Sequence, residues 1–141
     1  MNSSPGHGIP DIELPLPGGG TVNPADFAGH ELVVLFSPLD EAAAAQELAD
    51  YNRYAQQFSY NDAWMIAVGG SGRTEPASRF TLAGEPDGGV WQAFGESFEP
   101  SEALSRDEGG VFLFGRGGCL TRAWPGPGHA REVAEELGQR M

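Results

Sequence analysis

The sequence predicts an α/β sandwich in which helices cover a mixed sheet. Two runs of apolar residues, at 32–36 and 63–68, show the unbroken pattern that is typical of strands buried on both faces. An amphipathic stretch with helical spacing lies between them, and a predicted hairpin followed by a helix closes the chain. Early alternation of strands and helices, ending in an antiparallel hairpin, favours a mixed sheet.

The amino-terminal segment predicts an arm followed by a hairpin. Residues 1–10 are rich in Ser, Gly and Pro and are expected to form a flexible N-terminal arm. Residues 12–16 alternate apolar and polar side chains, and a Pro-Gly-Gly-Gly turn separates them from Thr21 and Val22. The prolines restrict this hairpin to the edge of a sheet, because proline has no amide donor. Residues 11–141 are expected to form a single domain that buries a core without disulfides.

A long helix is predicted from about residue 40 to residue 58. Ser37 is expected to cap it, Pro38 suits its first turn, and acidic side chains there face the positive end of the helix dipole. The apolar stripe recurs every three or four residues and consists of Ala44, Ala45, Leu48, Tyr51, Ala55 and Phe58. The acidic residues are interpreted as a solvated face rather than a catalytic pair, and they are Asp40, Glu41, Glu47 and Asp50.

The second half of the chain is punctuated by glycines. Its predicted elements are a strand at 63–68, a loop at 69–79, a strand at 80–82, a helix at 90–94 closed by Gly95, hairpin strands at 111–114 and 119–123, and a helix at 128–140. The loop opens with Gly-Gly-Ser-Gly-Arg, whose backbone N–H groups could cradle an anion. A plain flexible loop is the alternative, because the rest of the phosphate-loop pattern is missing.

Composition excludes several classes of protein. The net charge is −12 and all basic residues are arginines scattered singly along the chain, which argues against nucleic acid as a partner. The single cysteine excludes an intramolecular disulfide, and Cys and His are too few for the usual structural zinc site. No targeting signal is visible, and no apolar stretch approaches the roughly 20 residues that span a bilayer. A cytoplasmic protein without membrane contacts is therefore expected.

Several short motifs follow one another in an informative order. Residues 9–14 read Ile-Pro-Asp-Ile-Glu-Leu, residues 18–30 contain a glycine turn and end in Gly-His, and residues 36–38 read Phe-Ser-Pro. Two short segments between 80 and 95 then precede the hairpin at 111–120. Over nearly the whole chain this order resembles the peroxiredoxins of the alkyl hydroperoxide reductase and thiol-specific antioxidant class. The resemblance implies a thioredoxin-like, peroxiredoxin-type three-layer sandwich with a mixed central sheet.

The positions that the resemblance marks for catalysis hold other residues here. In peroxiredoxins a Thr and the reactive Cys lie four and seven residues after the Pro of Phe-x-Pro, positions that are Ala42 and Ala45 in this chain. The family's Arg precedes the late strand, at Gly109 or Gly110. The thiolate is the nucleophile, and the hydroxyl and guanidinium stabilise charge as the O–O bond breaks. The resemblance thus implies a degenerate pocket without peroxidase chemistry, formed by Ser37, Pro38, Asp40, Glu41, Ala42, Ala45 and Gly109.

Two functions remain open on the sequence. One is a peroxiredoxin-like protein without the catalytic residues, which binds a protein partner, a second copy in a homodimer, or an unknown small ligand, and uses no cofactor. The alternative is a thiol-dependent oxidoreductase or redox sensor that uses Cys119. In the thioredoxin-like sheet that the resemblance implies, the late hairpin strand starts near the helix and its turn lies at the opposite end of the sheet. Four or five strand residues of about 3.3 Å each then place Cys119 about 15 Å from Ala45. A metal site is expected only if the fold gathers the histidines, which are His7, His30 and His129.

Overall fold

The computed structural model describes residues 8–69, 79–86, 88–95 and 105–139. The described strands are β1 (Leu14–Pro15), β2 (Thr21–Val22), β3 (Glu31–Phe36), β4 (Ala63–Val68), β5 (Phe80–Ala83), β6 (Gly110–Phe114) and β7 (Leu120–Pro125). The described helices are a 3₁₀-helix (Pro24–Phe27), α1 (Glu41–Asn52), α2 (Ala55–Tyr60), α3 (Gly88–Gly95) and α4 (Ala130–Gly138). The predicted strands and closing hairpin are present, whereas most of the loop expected at 69–79 lies outside the described residues. None of the described helices is long and apolar enough to cross a membrane.

The central sheet has five strands in the order β5-β4-β3-β6-β7. Strands β3, β4 and β5 are parallel, and β6 and β7 are antiparallel to their neighbours, so the predicted mixed sheet is confirmed. In the pairing of β3 with β6, Phe36 lies opposite Gly110 and Leu32 lies opposite Phe114. The segment before β6 therefore lies beside the end of β3, and the β6–β7 turn lies beside its beginning.

Side chains of β3 alternate between two buried layers. Val33 and Leu35 pack in one core with residues of α1, α2 and α4. Leu32, Val34 and Phe36 face the opposite side, where they pack with residues of α3. Burial of both faces explains why the strand is an unbroken apolar run, and it produces the three layers that were predicted.

The long helix predicted at 40–58 is wrong in one respect, because the structure divides it into α1 and α2. The amides of Arg53 and Tyr54 donate to carbonyls three residues earlier, at 3.3 and 2.9 Å, which tightens the chain and ends α1. Tyr51 and Phe58 would be about 10 Å apart along a continuous helix, yet their ring centroids lie 6.3 Å apart. The turn thus allows both rings to enter one core.

The amino-terminal hairpin forms a separate two-stranded sheet of β1 and β2 rather than the edge of the central one. It is joined to the end of β5 by a hydrogen bond from the Gly84 amide to the Pro15 carbonyl, at 2.8 Å. The last residues of the predicted arm are held against the chain, since the Ile9 amide donates to the Gly118 carbonyl at 3.1 Å. Residues 1–7 of that arm lie outside the described residues.

Candidate functional site

The predicted pocket lies where β3 ends and α1 begins. Ser37 and Pro38 are both buried there. The Ser37 amide donates to the Val68 carbonyl at 3.1 Å, which extends the pairing of β3 with β4 by one residue. The Leu39 amide donates to the Asp107 carbonyl at 3.0 Å. These bonds place the start of α1 beside the segment that precedes β6, so the two halves of the predicted pocket are neighbours.

The cap of α1 is Asp40 and not Ser37, which corrects the sequence-based expectation. The Asp40 carboxylate accepts a hydrogen bond from the Ala43 amide at 2.9 Å, as carboxylates at this position commonly do. Ser37 lies too far before the helix for that role, and its hydroxyl has no partner among the described residues.

The first turns of α1 present small side chains to solvent. Ala42 and Ala45, which the sequence resemblance places at the family's Thr and Cys positions, are both exposed, as are Asp40 and Glu41. Ala44, between them, is buried in the core. The exposure of Ala45 departs from the predicted apolar stripe. A methyl group supplies neither a nucleophile nor a hydrogen-bond donor.

Gly109, at one of the two positions where the resemblance implies an arginine, has a conformation that excludes a side chain. Its φ of +78° lies in the left-handed region, and a Cβ there would lie 2.1 Å from the Phe36 carbonyl oxygen. Its amide donates to the Ser105 carbonyl at 2.9 Å, and its own carbonyl accepts from the Gly126 amide at 3.0 Å. These contacts fix the chain closely against the end of β3.

A neighbouring arginine, Arg106, reaches this region and was missed in the sequence. Its Nη1 donates to the Ser37 carbonyl oxygen at 2.6 Å. Its Nε and Nη2 lie 2.8 and 2.7 Å from one oxygen of Glu85. The guanidinium carbon lies 5.5 Å from the centre of the Phe36 ring and 5.8 Å from that of Trp91. The sequence signal was slight, because only its position three residues before Gly109 distinguished it, and Glu85 is remote along the chain.

Glu47 is buried, so its interpretation as part of a solvated face is wrong. The side chain is only 3% exposed, and its Oε1 accepts a hydrogen bond from the Gly128 amide at 3.0 Å. Burial raises the pKa of Glu47 above its ordinary value, and the charge of Asp50 adds to this, while the Gly128 amide and His129 act against it. Tyr51, one turn later, is fully buried, and its pKa is raised well above its ordinary value, mainly by burial and next by Glu47.

We expect the Glu47→Gln variant to become more stable relative to the wild type as the pH rises. Because the folded-state pKa of Glu47 is raised, its contribution to stability is fully present below the unfolded-state pKa and is lost as the pH rises through the folded-state pKa. Glutamine removes that loss, since an amide does not ionise, and its oxygen can still accept from Gly128. Urea unfolding of both proteins between pH 4 and pH 7 measures the difference.

The matched control for this measurement is Glu41→Gln, on the same helix but exposed. An anion at the helix start is favourable, so replacing Glu41 should not stabilise the protein. An unchanged stability difference for Glu47→Gln across the pH range would contradict the assignment of a raised pKa.

Cys119 is a free, exposed thiol in the turn between β6 and β7. Since β6 runs antiparallel to β3, this turn lies at the end of the sheet where β3 begins, away from the start of α1. The structure therefore does not bring Cys119 together with Ala42 and Ala45. Among the described residues, thiol, imidazole and carboxylate groups nowhere form a group of three that could hold a metal ion.

The two described histidines lie apart and have different partners. His30 Nδ1 is 3.0 Å from a carboxylate oxygen of Asp62. His129 Nδ1 is 2.6 Å from Glu132, and its Nε2 is 2.9 Å from the Pro125 carbonyl oxygen. His7 lies outside the described residues. Each described imidazole is thus engaged with its own neighbouring acid.

Comparison with known proteins identifies the fold. No protein-family model matches the sequence, and no curated protein matches it significantly. Peroxiredoxin Q of Xanthomonas campestris matches with a TM-score of 0.72 and 23% identity, over 92% of this chain and 92% of that one. A cysteine-to-serine variant of PrxQ from Xylella fastidiosa matches with a TM-score of 0.74 and 21% identity, over 99% and 98%. The mitochondrial 2-Cys peroxiredoxin of Plasmodium falciparum matches with a TM-score of 0.68 and 15% identity, over 94% and 91%.

These likenesses and the strand order define a protein with the thioredoxin-like fold. Within that class, the chain has the form that peroxiredoxins share, and the fold predicted from the sequence is confirmed. At these identities the likeness establishes the fold alone. What the chain does must be argued from its own residues.

Proposed function

We propose that this chain is a peroxiredoxin-like protein without thiol peroxidase activity, which works as a binding or interaction module. The observation that carries the proposal is the close approach at Gly109, where a Cβ would lie 2.1 Å from the Phe36 carbonyl oxygen. No arginine fits at that position without moving the backbone. The absence of an arginine here therefore follows from the backbone packing, and a change of one side chain would not restore it.

The α1 surface supports the same proposal. Peroxide reduction by the family mechanism needs a thiolate, whose pKa is lowered by a helix N-terminus and nearby cations. Ala45 provides no thiol, and the exposed carboxylates of Asp40 and Glu41 add negative charge where the thiolate would form. Arg106 is held away from this role, because its Nε, Nη1 and Nη2 atoms each already contact Glu85 or the Ser37 carbonyl.

A binding role is supported by exposed apolar surface at the same place. Leu39 is 58% exposed immediately before α1, and the methyl groups of Ala42 and Ala45 are exposed beyond it. Contiguous exposed apolar surface can mark a site that contacts another molecule. We assign this surface to a protein partner or to a second copy of the chain.

The first test is peroxide consumption by the purified protein with excess dithiol. Wild type and Cys119→Ser are each expected to consume hydrogen peroxide at the background rate, while peroxiredoxin Q in the same assay serves as the positive control. Consumption by the wild type that disappears in Cys119→Ser would establish the alternative, a thiol-dependent oxidoreductase that uses Cys119. Consumption that survives the substitution would also overturn the proposal.

The binding half of the proposal has its own measurement. We expect the wild type to self-associate on sedimentation with increasing concentration, and Leu39→Ser to weaken this. Tyr60→Ser is the matched control, because Tyr60 is also a large exposed side chain, at 76%, but it is the last residue of a different helix, α2. A strict monomer, or equal effects of the two substitutions, would contradict association through the α1 surface.

A further inference from the structure

A cationic cluster lies at the end of the sheet away from the α1 surface. His30, Asp62 and Arg79 are the residues immediately before β3, β4 and β5 respectively. These three strands are parallel neighbours, so the residues that precede them stand side by side. The β6–β7 turn, which contains Arg116, lies at the same end. We refer to His30, Asp62, Arg79 and Arg116 as the Asp62 cluster.

One carboxylate holds the three basic groups together. Arg79 Nη1 lies 2.8 Å from Asp62 Oδ1, and His30 Nδ1 lies 3.0 Å from Asp62 Oδ2. Arg116 Nε lies 3.9 Å from Oδ2, and its Nη2 donates to the Asn61 carbonyl oxygen at 3.3 Å. Hydrogen bonds from Arg79 and then His30 lower the pKa of Asp62 below its ordinary value, so the carboxylate remains charged. The Asp62 carboxylate therefore orients the three basic side chains, but its single negative charge does not neutralise both guanidinium groups.

The excess of positive charge is unusual for this chain. Arg106 and Arg131 each pair with a single acid, Glu85 and Glu135 respectively. Here two guanidinium groups and an imidazole share one acid, although the chain carries a net charge of −12. Glu31 is a second acidic residue next to His30 in sequence. Because side chains alternate along a strand, the side chain of Glu31 lies on the face of β3 opposite to that of Leu32.

Aromatic contacts hold part of the cluster in place. The guanidinium carbon of Arg79 lies 4.8 Å from the centre of the Trp64 ring. The His30 ring meets the same indole edge-on, with 6.2 Å between centroids, and Phe27 packs on it at 5.7 Å. The buried Trp64 Nε1 has no hydrogen-bond partner among the described residues. The N–H groups of His30, Arg79 and Arg116 are thus held close together in a partly exposed site.

We propose that the Asp62 cluster binds the phosphate group of a small ligand or free phosphate, through Arg79, Arg116 and His30. Each guanidinium carries five donors, of which few are used here, and its planar fork matches phosphate oxygens. Asp62 acts as the group that orients these donors, on the side of the guanidinium groups that the anion does not use. The inference is independent of the function proposed for the α1 surface.

The test is calorimetric titration of the full chain, at constant ionic strength, with inorganic phosphate and separately with glycerol 3-phosphate. Saturable one-site binding is expected, weakened about tenfold or more in Arg116→Gln, because a charge-assisted hydrogen bond is lost. Tighter binding of the ester would identify a phosphorylated ligand, and equal binding would identify phosphate itself. Both results support the site.

Arg122→Gln is the matched control, since Arg122 is 52% exposed and Arg116 is 53% exposed. It should bind both anions as the wild type does. Failure of both anions to bind saturably would overturn the proposal, and so would equal weakening by the two substitutions, which would indicate general attraction to arginine. Circular dichroism of Arg116→Gln confirms that a loss reflects the site rather than unfolding.

Discussion

Replacing Gly109 by alanine is expected to destabilise the fold by about 3 kcal/mol or more, from strain together with a forced backbone shift. The residue has a φ of +78°, and the new Cβ would lie 2.1 Å from the Phe36 carbonyl oxygen. That oxygen belongs to the central strand of the sheet, so it cannot move without disturbing β3. Urea or thermal unfolding measures the loss.

The matched control is Gly20→Ala, because the two glycines have almost the same backbone conformation. Gly20 has a φ of +79°, but nothing lies within 4 Å of its prospective Cβ. Its substitution should therefore show the conformational penalty alone, about 1 kcal/mol. If Gly109→Ala were no more harmful than Gly20→Ala, the close approach to Phe36 would not exist in solution.

The same contact bears on any attempt to rebuild a peroxidase. Ala42→Thr and Ala45→Cys place side chains on an exposed helix surface, where there is room for them. Gly109→Arg meets the Phe36 carbonyl at its first side-chain atom, before the guanidinium is reached. The triple variant should therefore lose stability without gaining the charge stabilisation that the family's arginine provides.

The sheet was predictable because the sequence patterns of its strands are compatible with few other structures. An unbroken apolar run such as β3 has to be buried on both faces. The glycine turn between β6 and β7 indicates a hairpin. The division of the long helix was not predictable, since residues 53 and 54 carry no helix-breaking side chain. It depends on Tyr51 and Phe58 meeting in one core, which is a property of the packed fold.

The elements that carry the candidate residues were predictable, but their detailed contacts were not. Counting from Pro38 placed Ala42 and Ala45 on the first turns of α1, where the structure has them. The left-handed conformation of Gly109 leaves no sequence signal beyond the glycine itself. Burial of Glu47 was hidden because its partner, the Gly128 amide, is a backbone group far along the chain. Contacts between residues that are far apart along the chain are the features that are hardest to predict from a single sequence.

Arg106→Met should destabilise the protein by about 2–4 kcal/mol, because removal of one partner leaves a largely buried charge unpaired. Arg106 and Glu85 are only 17% and 16% exposed, and the Ser37 carbonyl would lose its donor as well. Arg122→Met is the control, in a more exposed pair with Glu136, where a loss of at most about 1 kcal/mol is expected.

A double-mutant cycle separates the ion pair from the rest. If Glu85→Gln removes the unpaired charge, the double variant should be less destabilised than the sum of the single variants. Arg106→Lys should recover only part of the stability, because an ammonium group cannot bond Glu85 and Ser37 with the same planar fork. Additive effects in the cycle would contradict the pairing. Coupled effects would mean that Arg106 holds β3, the segment after β5 and the segment before β6 together.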